Sequence, residues 1–218
     1  MKPIARSWWL SPGGVLLLIA LVSGALAWWL IALPVLTLAN VDGHPQHFSM
    51  VFAHMATGTL MLFVGAANIY VGTTRRFFAH HKTLGYLYLA GGTVGASLAL
   101  ILALRNPHGA GGQLPGGMQG TGDLGYALAA LAIAWLVSAA MGYRAVRNRR
   151  HDTHRAWMIR SYVLTWSFVL CRLVGKIPAL ADLGDGSAII WLSWIVPLFA
   201  CEVALQWQSG SARASAGT

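Results

Sequence analysis

Residues 83–104 read TLGYLYLAGGTVGASLALILAL, 22 positions without a charged side chain. At about 1.5 Å per helical residue this run is about 33 Å long, enough to cross a hydrocarbon layer about 30 Å thick. Five further segments meet the same test, near 12–36, 48–72, 124–146, 156–177 and 187–207. The connections between them are short. The pattern predicts an all-α protein, a polytopic transmembrane bundle of six spans that makes residues 1–218 a single integral membrane domain, with 208–218 as a disordered tail. No inverted repeat of the kind found in many transporters is visible.

Composition agrees. Of 218 residues, 56% are hydrophobic and only 10% charged, where soluble domains carry roughly 25%. That excludes an ordinary soluble domain and a disordered chain, and two cysteines exclude a disulfide scaffold. Fifteen Lys and Arg against six Asp and Glu give a formal charge of +9, a balance that elsewhere would suggest nucleic acid. Here the charges sort by loop. Lys2 and Arg6, then Arg75, Arg76 and Lys82, then Arg144, Arg147, Arg149, Arg150 and Arg155, and finally Arg213 fall on one side; Arg105 and Lys176 fall on the other. The positive-inside rule puts both termini in the cytoplasm, and the basic excess becomes a topology signal whose partner is the lipid bilayer, with no nucleic acid. Eight of ten tryptophans lie near span ends, and only Trp135 and Trp166 are mid-span. Lys2, Arg6 and Ala25-Leu26-Ala27 also resemble a signal peptide with its cleavage site, but the apolar stretch continues to Leu38 and an uncleaved helix is expected.

Ionisable groups inside a span are costly and mark candidate function. They are His54, Arg160, Arg172 and Glu202, with His81 and His154 at the inner ends of their helices. Three spans carry small or polar residues at period 3.5, the face a helix turns to a neighbour: His54, Gly58, Met61, Gly65, Asn68 and Gly72; His81, Gly85, Tyr88, Gly92, Gly95 and Ala99; His154, Met158, Ser161, Thr165, Phe168 and Arg172. Glycine on such a seam either allows close helix contact or leaves room for a flat cofactor. From His54 to Gly72 is about 27 Å of helix, so one ion cannot join all three histidines. An outer cluster would combine His54 and Arg172 with His44, His47 or His108; an inner one would combine His80 or His81 with His151 or His154. Arg160 and Glu202 match in depth and are expected to form a structural ion pair, with proton transfer or headgroup binding as the alternative. Cys171 and Cys201 sit at opposite ends of their spans, too far apart to bridge, and read as small core residues. The glycine-rich loop 106–125 lacks the ending of a phosphate loop and is expected to be mobile on the outer side.

Histidines at two depths on glycine seams suit a membrane protein that binds haem b or a quinone: imidazole for axial ligation, arginine for propionates, glycine for clearance. His54, His81 and His154 are the candidate haem-iron or metal ligands, and Arg160 and Arg172 the candidate cofactor-binding arginines.

These residues also resemble a known family. His81-Lys82-x-x-Gly85-x-x-Tyr88, with His154-Arg155-x-Trp157-Met158-x-Arg160-Ser161-Tyr162 and a following Arg172, is similar to the bacterial predicted membrane proteins grouped as domain of unknown function 2306, and His54 with Gly58 and Gly65 looks like that family's first histidine-bearing span. The resemblance covers about residues 48–175. Lys82 stands where the family usually has arginine, which weakens a bidentate partner. The resemblance implies several membrane helices, multi-pass insertion in the bacterial inner membrane, and weight on Lys82, Tyr88 and Trp157 beside the histidines; it implies no established reaction, and Glu202, outside its range, keeps its weight as the one acid inside a span. Three functions stay open: a redox protein binding haem b or quinone, a non-catalytic subunit or assembly factor of a larger membrane complex, and a small-solute or metal transporter.

Overall fold

In the computed structural model the described residues are 48–105, 123–174 and 186–216, with positions 14, 18, 21, 22, 24, 25 and 29 from the N-terminal part; of 48, 172, 186 and 208–216 only the backbone is described. They form five long helices: α1 (Phe48–Thr74), α2 (His81–Arg105), α3 (Leu124–Arg147), α4 (His151–Val174) and α5 (Gly186–Ala216). Among the described residues there is no strand. Four stretches are long and apolar enough to cross a membrane: Ser49–Thr74, Phe78–Arg105, Leu124–Arg147 and Ser187–Trp207. The expected first span lies largely outside the described residues. The expected fifth is a helix, α4, but too polar to qualify.

The polarity of α4 has a structural reason. This helix packs against both α3 and α5, and Ser161, Thr165 and Ser167 are buried, Ser161 completely. A helix flanked by neighbours turns polar side chains to protein, where they find partners. Ser161 donates to the Met158 carbonyl at 2.9 Å, Thr165 to Ser161 at 3.0 Å and Ser167 to Leu164 at 2.5 Å. The indole N–H of buried Trp135, on α3, reaches across to the Thr165 hydroxyl at 3.0 Å. One of the two mid-span tryptophans thus faces protein. An apolar cluster of Leu124, Ala127, Cys171, Ile189 and Ile190 closes one end of this group of helices. Both cysteines are free, Cys171 buried and Cys201 half-buried.

The chain divides into two compact units, residues 1–98 and 99–218. Each contains a helical hairpin with a basic turn. In the first, α1 ends where Arg75 takes a left-handed conformation (φ 59°) and donates its N–H to the Val71 carbonyl at 3.0 Å; Phe77 is left-handed too (φ 57°) and leads into a single 3₁₀ turn, Phe78–His80, before α2. In the second, α3 ends in a Schellman motif: the Arg150 N–H donates to the Ala145 carbonyl at 2.9 Å and the Arg149 N–H to Val146 at 3.0 Å, with Arg149 at φ 58°. α4 begins at once, the His154 N–H donating to the Arg150 carbonyl, so the helix starts at His151, ahead of the span expected near 156, and includes His154 as its seam requires. At the other end of the chain, α5 runs to Ala216, through residues expected from sequence to be a disordered tail. Extending a formed helix needs no new nucleus, which offsets the glycine and three serines of the added stretch.

Candidate functional site

In the first unit the seam of α1 meets that of α2 as antiparallel helices. A Cβ at Gly95 would stand 2.7 Å from the Thr57 hydroxyl and 4.0 Å from the His54 carbonyl oxygen, so glycine is what lets the backbones approach. That approach brings the Gly95 carbonyl to the imidazole of half-buried His54, with Nδ1 and oxygen 2.9 Å apart. A carbonyl only accepts, so Nδ1 carries the hydrogen, which in a neutral imidazole leaves the lone pair on Nε2. One turn on, Gly58 has open space: among the described residues, a Cβ placed there would have no atom within 4 Å.

Toward the basic turn the same two helices exchange polar side chains and glycines. His81 of α2 lies against Gly72 of α1, its Cε1 3.1 Å from where a Cβ would be; Asn68 of α1 lies against Gly85 of α2, its Nδ2 at 3.4 Å. The His81 ring stacks on Phe78 with centroids 5.2 Å apart and planes 10° from parallel, and the Arg75 guanidinium covers the Phe78 ring at 4.7 Å. Packing therefore orients His81. Tyr88 is 2% exposed, whereas Lys82 is exposed and turns its ammonium over the Tyr86 ring at 5.9 Å.

The second unit repeats the histidine device. His154, three residues into α4, donates from Nδ1 to the carbonyl of Gly142 on α3 at 2.9 Å. A Cβ at Gly142 would meet the Met158 sulfur at 2.7 Å and the Trp157 Cβ at 3.5 Å. Further along α4, Arg160 binds Glu202 of α5: Nη2 and Nε approach the same carboxylate oxygen at 2.6 and 2.9 Å. The other carboxylate oxygen accepts from Gln206 at 2.9 Å, and the guanidinium lies 4.8 Å from the Trp157 ring centroid. Side-chain exposure is 17% for Arg160 and 40% for Glu202.

Depth matching thus places the Arg160–Glu202 pair correctly, and Trp157 joins it. His80, His151 and Arg155 are exposed. His44, His47, His108, Lys176 and most of the glycine-rich loop lie outside the described residues, as does the side chain of Arg172. Among the described residues no three His, Cys, Asp or Glu side chains converge on one point, an arrangement that axial haem ligation by one or two imidazoles does not need. Sequence reading missed the glycine carbonyls that receive the histidines. Gly142 carries a signal nonetheless, because residues 142 and 154 are symmetric about the short turn at Asn148.

Neither the curated proteins nor the solved structures contain a significant match to this chain. A family model, "Predicted membrane protein (DUF2306)", matches residues 51–204, well over half the chain. With its apolar helices and histidine-bearing seams, the chain belongs to this family of predicted membrane proteins.

Proposed function

We propose that the protein is a redox component of the membrane that binds haem b or a quinone through its helix histidines. One observation carries this reading: His54 and His154, in different units, each donate Nδ1–H to the carbonyl of a glycine on the neighbouring helix. Metal-ligating histidines are held in this way, because a second-shell carbonyl fixes the ring and presents Nε2 as the electron-pair donor. The same tautomer offers an acceptor to a quinol hydroxyl. Space at Gly58 among the described residues, on the face of α1 that carries His54, supports a flat group there. His81, stacked on Phe78, is the third candidate. Arg172 remains a candidate propionate partner by its place on α4, while Arg160 is engaged by Glu202. Haem, when bound, supplies one-electron chemistry; the protein's part is to hold the imidazoles and exclude water.

The test is haem and quinone content of the purified protein and of His54→Ala and His154→Ala. The reading expects each substitution to lower cofactor content at least severalfold while the protein stays folded. Unchanged content in both variants would contradict it.

The second reading, a subunit of a larger complex, has its own support: Glu202 is 40% exposed within an apolar span, and a carboxylate open to the outside of a helix calls for cover. Native mass spectrometry separates the two, since a cofactor-loaded monomer contradicts the subunit reading.

A further inference from the structure

We infer that the side-chain amide of Asn68 is the headgroup-binding point for a lipid-soluble quinone on the α1–α2 hairpin, an inference that rests on the redox reading above. Asn68 is 9% exposed, and its Oδ1 is buried without a hydrogen-bond partner among the described residues. Hydroxyls elsewhere on α1 return their hydrogens to their own helix: Thr57 to Ala53 and His54, Thr59 to Met55, Thr73 and Thr74 to Tyr70. The amide oxygen, which can only accept, has no such outlet. An unpaired buried acceptor costs about 1–3 kcal/mol, more than an apolar side chain of the same shape would. Within an apolar helix a polar group kept at that cost marks a ligand.

The position restricts what the ligand is. Asn68 lies about 9 Å of helix from the end of α1 at the basic turn, one helical turn beyond Gly72, where His81 packs. The helix around it is long and apolar enough to span the membrane, so a ligand arriving through the bilayer needs an apolar body with a polar atom on it. On the facing helix the amide nitrogen packs against Gly85, 3.4 Å from where a Cβ would be, so the contact holds the amide in place. An uncharged amide serves both oxidation states of a quinone: Nδ2 donates to a ring carbonyl, and Oδ1 accepts from the hydroxyl of the reduced form. Binding alone is at issue here, with no transfer step.

The experiment compares wild type with Asn68→Leu in lipid nanodiscs, using decylbenzoquinone and 2-methyl-1,4-naphthoquinone as probes, and measures haem content, thermal midpoint, quinone affinity and the infrared carbonyl band of the bound quinone. Leucine keeps the volume and removes both hydrogen-bonding groups. The expected result is a thermal midpoint equal to wild type or higher, affinity weaker by about tenfold, the worth of one hydrogen bond, and a carbonyl band that is lowered in wild type and returns to its free position in the variant. Equal affinity in both proteins would place quinone elsewhere and overturn this inference while leaving the redox reading standing. Wild type that holds haem but no quinone would also overturn it alone, and wild type that holds neither would overturn both. A variant that unfolds or loses several degrees would show that the amide is satisfied inside the protein, by an enclosed water for instance, and overturns the inference too.

Discussion

Gly95 and Gly142 do similar work with different tolerance. At Gly95 the obstacle to a larger residue is Thr57, whose branched side chain leaves little room to turn away; at Gly142 it is the end of Met158, a flexible thioether. Gly95→Ala is therefore expected to force α1 and α2 apart by a few tenths of an ångström, to cost about 1–3 kcal/mol and to lower the thermal midpoint by roughly 3–10 °C. Gly142→Ala should cost less than half of that. Thermal unfolding in detergent checks the order, which a larger loss at Gly142 would reverse. At this scale the sequence is partly legible. Period 3.5 puts His54, Asn68 and Gly72 on one face and His81, Gly85 and Gly95 on another, and those faces do meet. Which glycine receives which side chain is not legible, because that depends on the axial offset of two helices. Gly72, Gly85, Gly91 and Gly95 are all contact positions, filled by His81, Asn68, the pair Leu60 and Met61, and Thr57, whereas Gly58 has no such neighbour among the described residues.

Among the elements, α4 and its entry turn carry the sharpest expectations. Arg149 holds the left-handed position of a Schellman motif, where a residue with a Cβ is disfavoured by about 1 kcal/mol. Arg149→Gly should raise the thermal midpoint by about 2–4 °C; a fall would mean that the arginine side chain does more for the turn than its backbone costs. On the other face of α4, the ion pair ties the helix to α5. Arg160→Leu and Glu202→Leu should each lower the midpoint, since each strands a charge in an apolar stretch, and the double variant should recover at least half of the loss. Losses that simply add would show the two residues to be independent. The pair can be anticipated because both residues are the same distance from a recognisable helix end. The start of α4 at His151 cannot, since a Schellman turn built on arginine hides the glycine that normally announces a helix end.

For the whole molecule, the distribution of basic residues makes a statement about direction that contacts alone do not. Arg149, in the turn between α3 and α4, is expected to face the cytoplasm, and the loop 106–122 the opposite side. Arg149→Cys should then react with an impermeant maleimide only in inverted vesicles, and Gly112→Cys only in intact cells with a permeable outer barrier. Labelling of both from one side would contradict the topology. Buried Cys171 and half-buried Cys201 set the background. Four of the helices declare themselves by apolar length, while α4, whose apolar part near 156–177 is legible in the sequence, is more polar than the others and packs against both α3 and α5.

If His54 and His154 are held for a redox cofactor, that cofactor should travel with the protein through purification. The absorption spectrum of the detergent-purified protein, oxidised and then reduced with dithionite, decides the matter, with quinone extracted from the same sample. The redox reading predicts a Soret band that shifts on reduction and weakens in His54→Ala or His154→Ala, or else stoichiometric quinone; a featureless spectrum with no extractable quinone would contradict it.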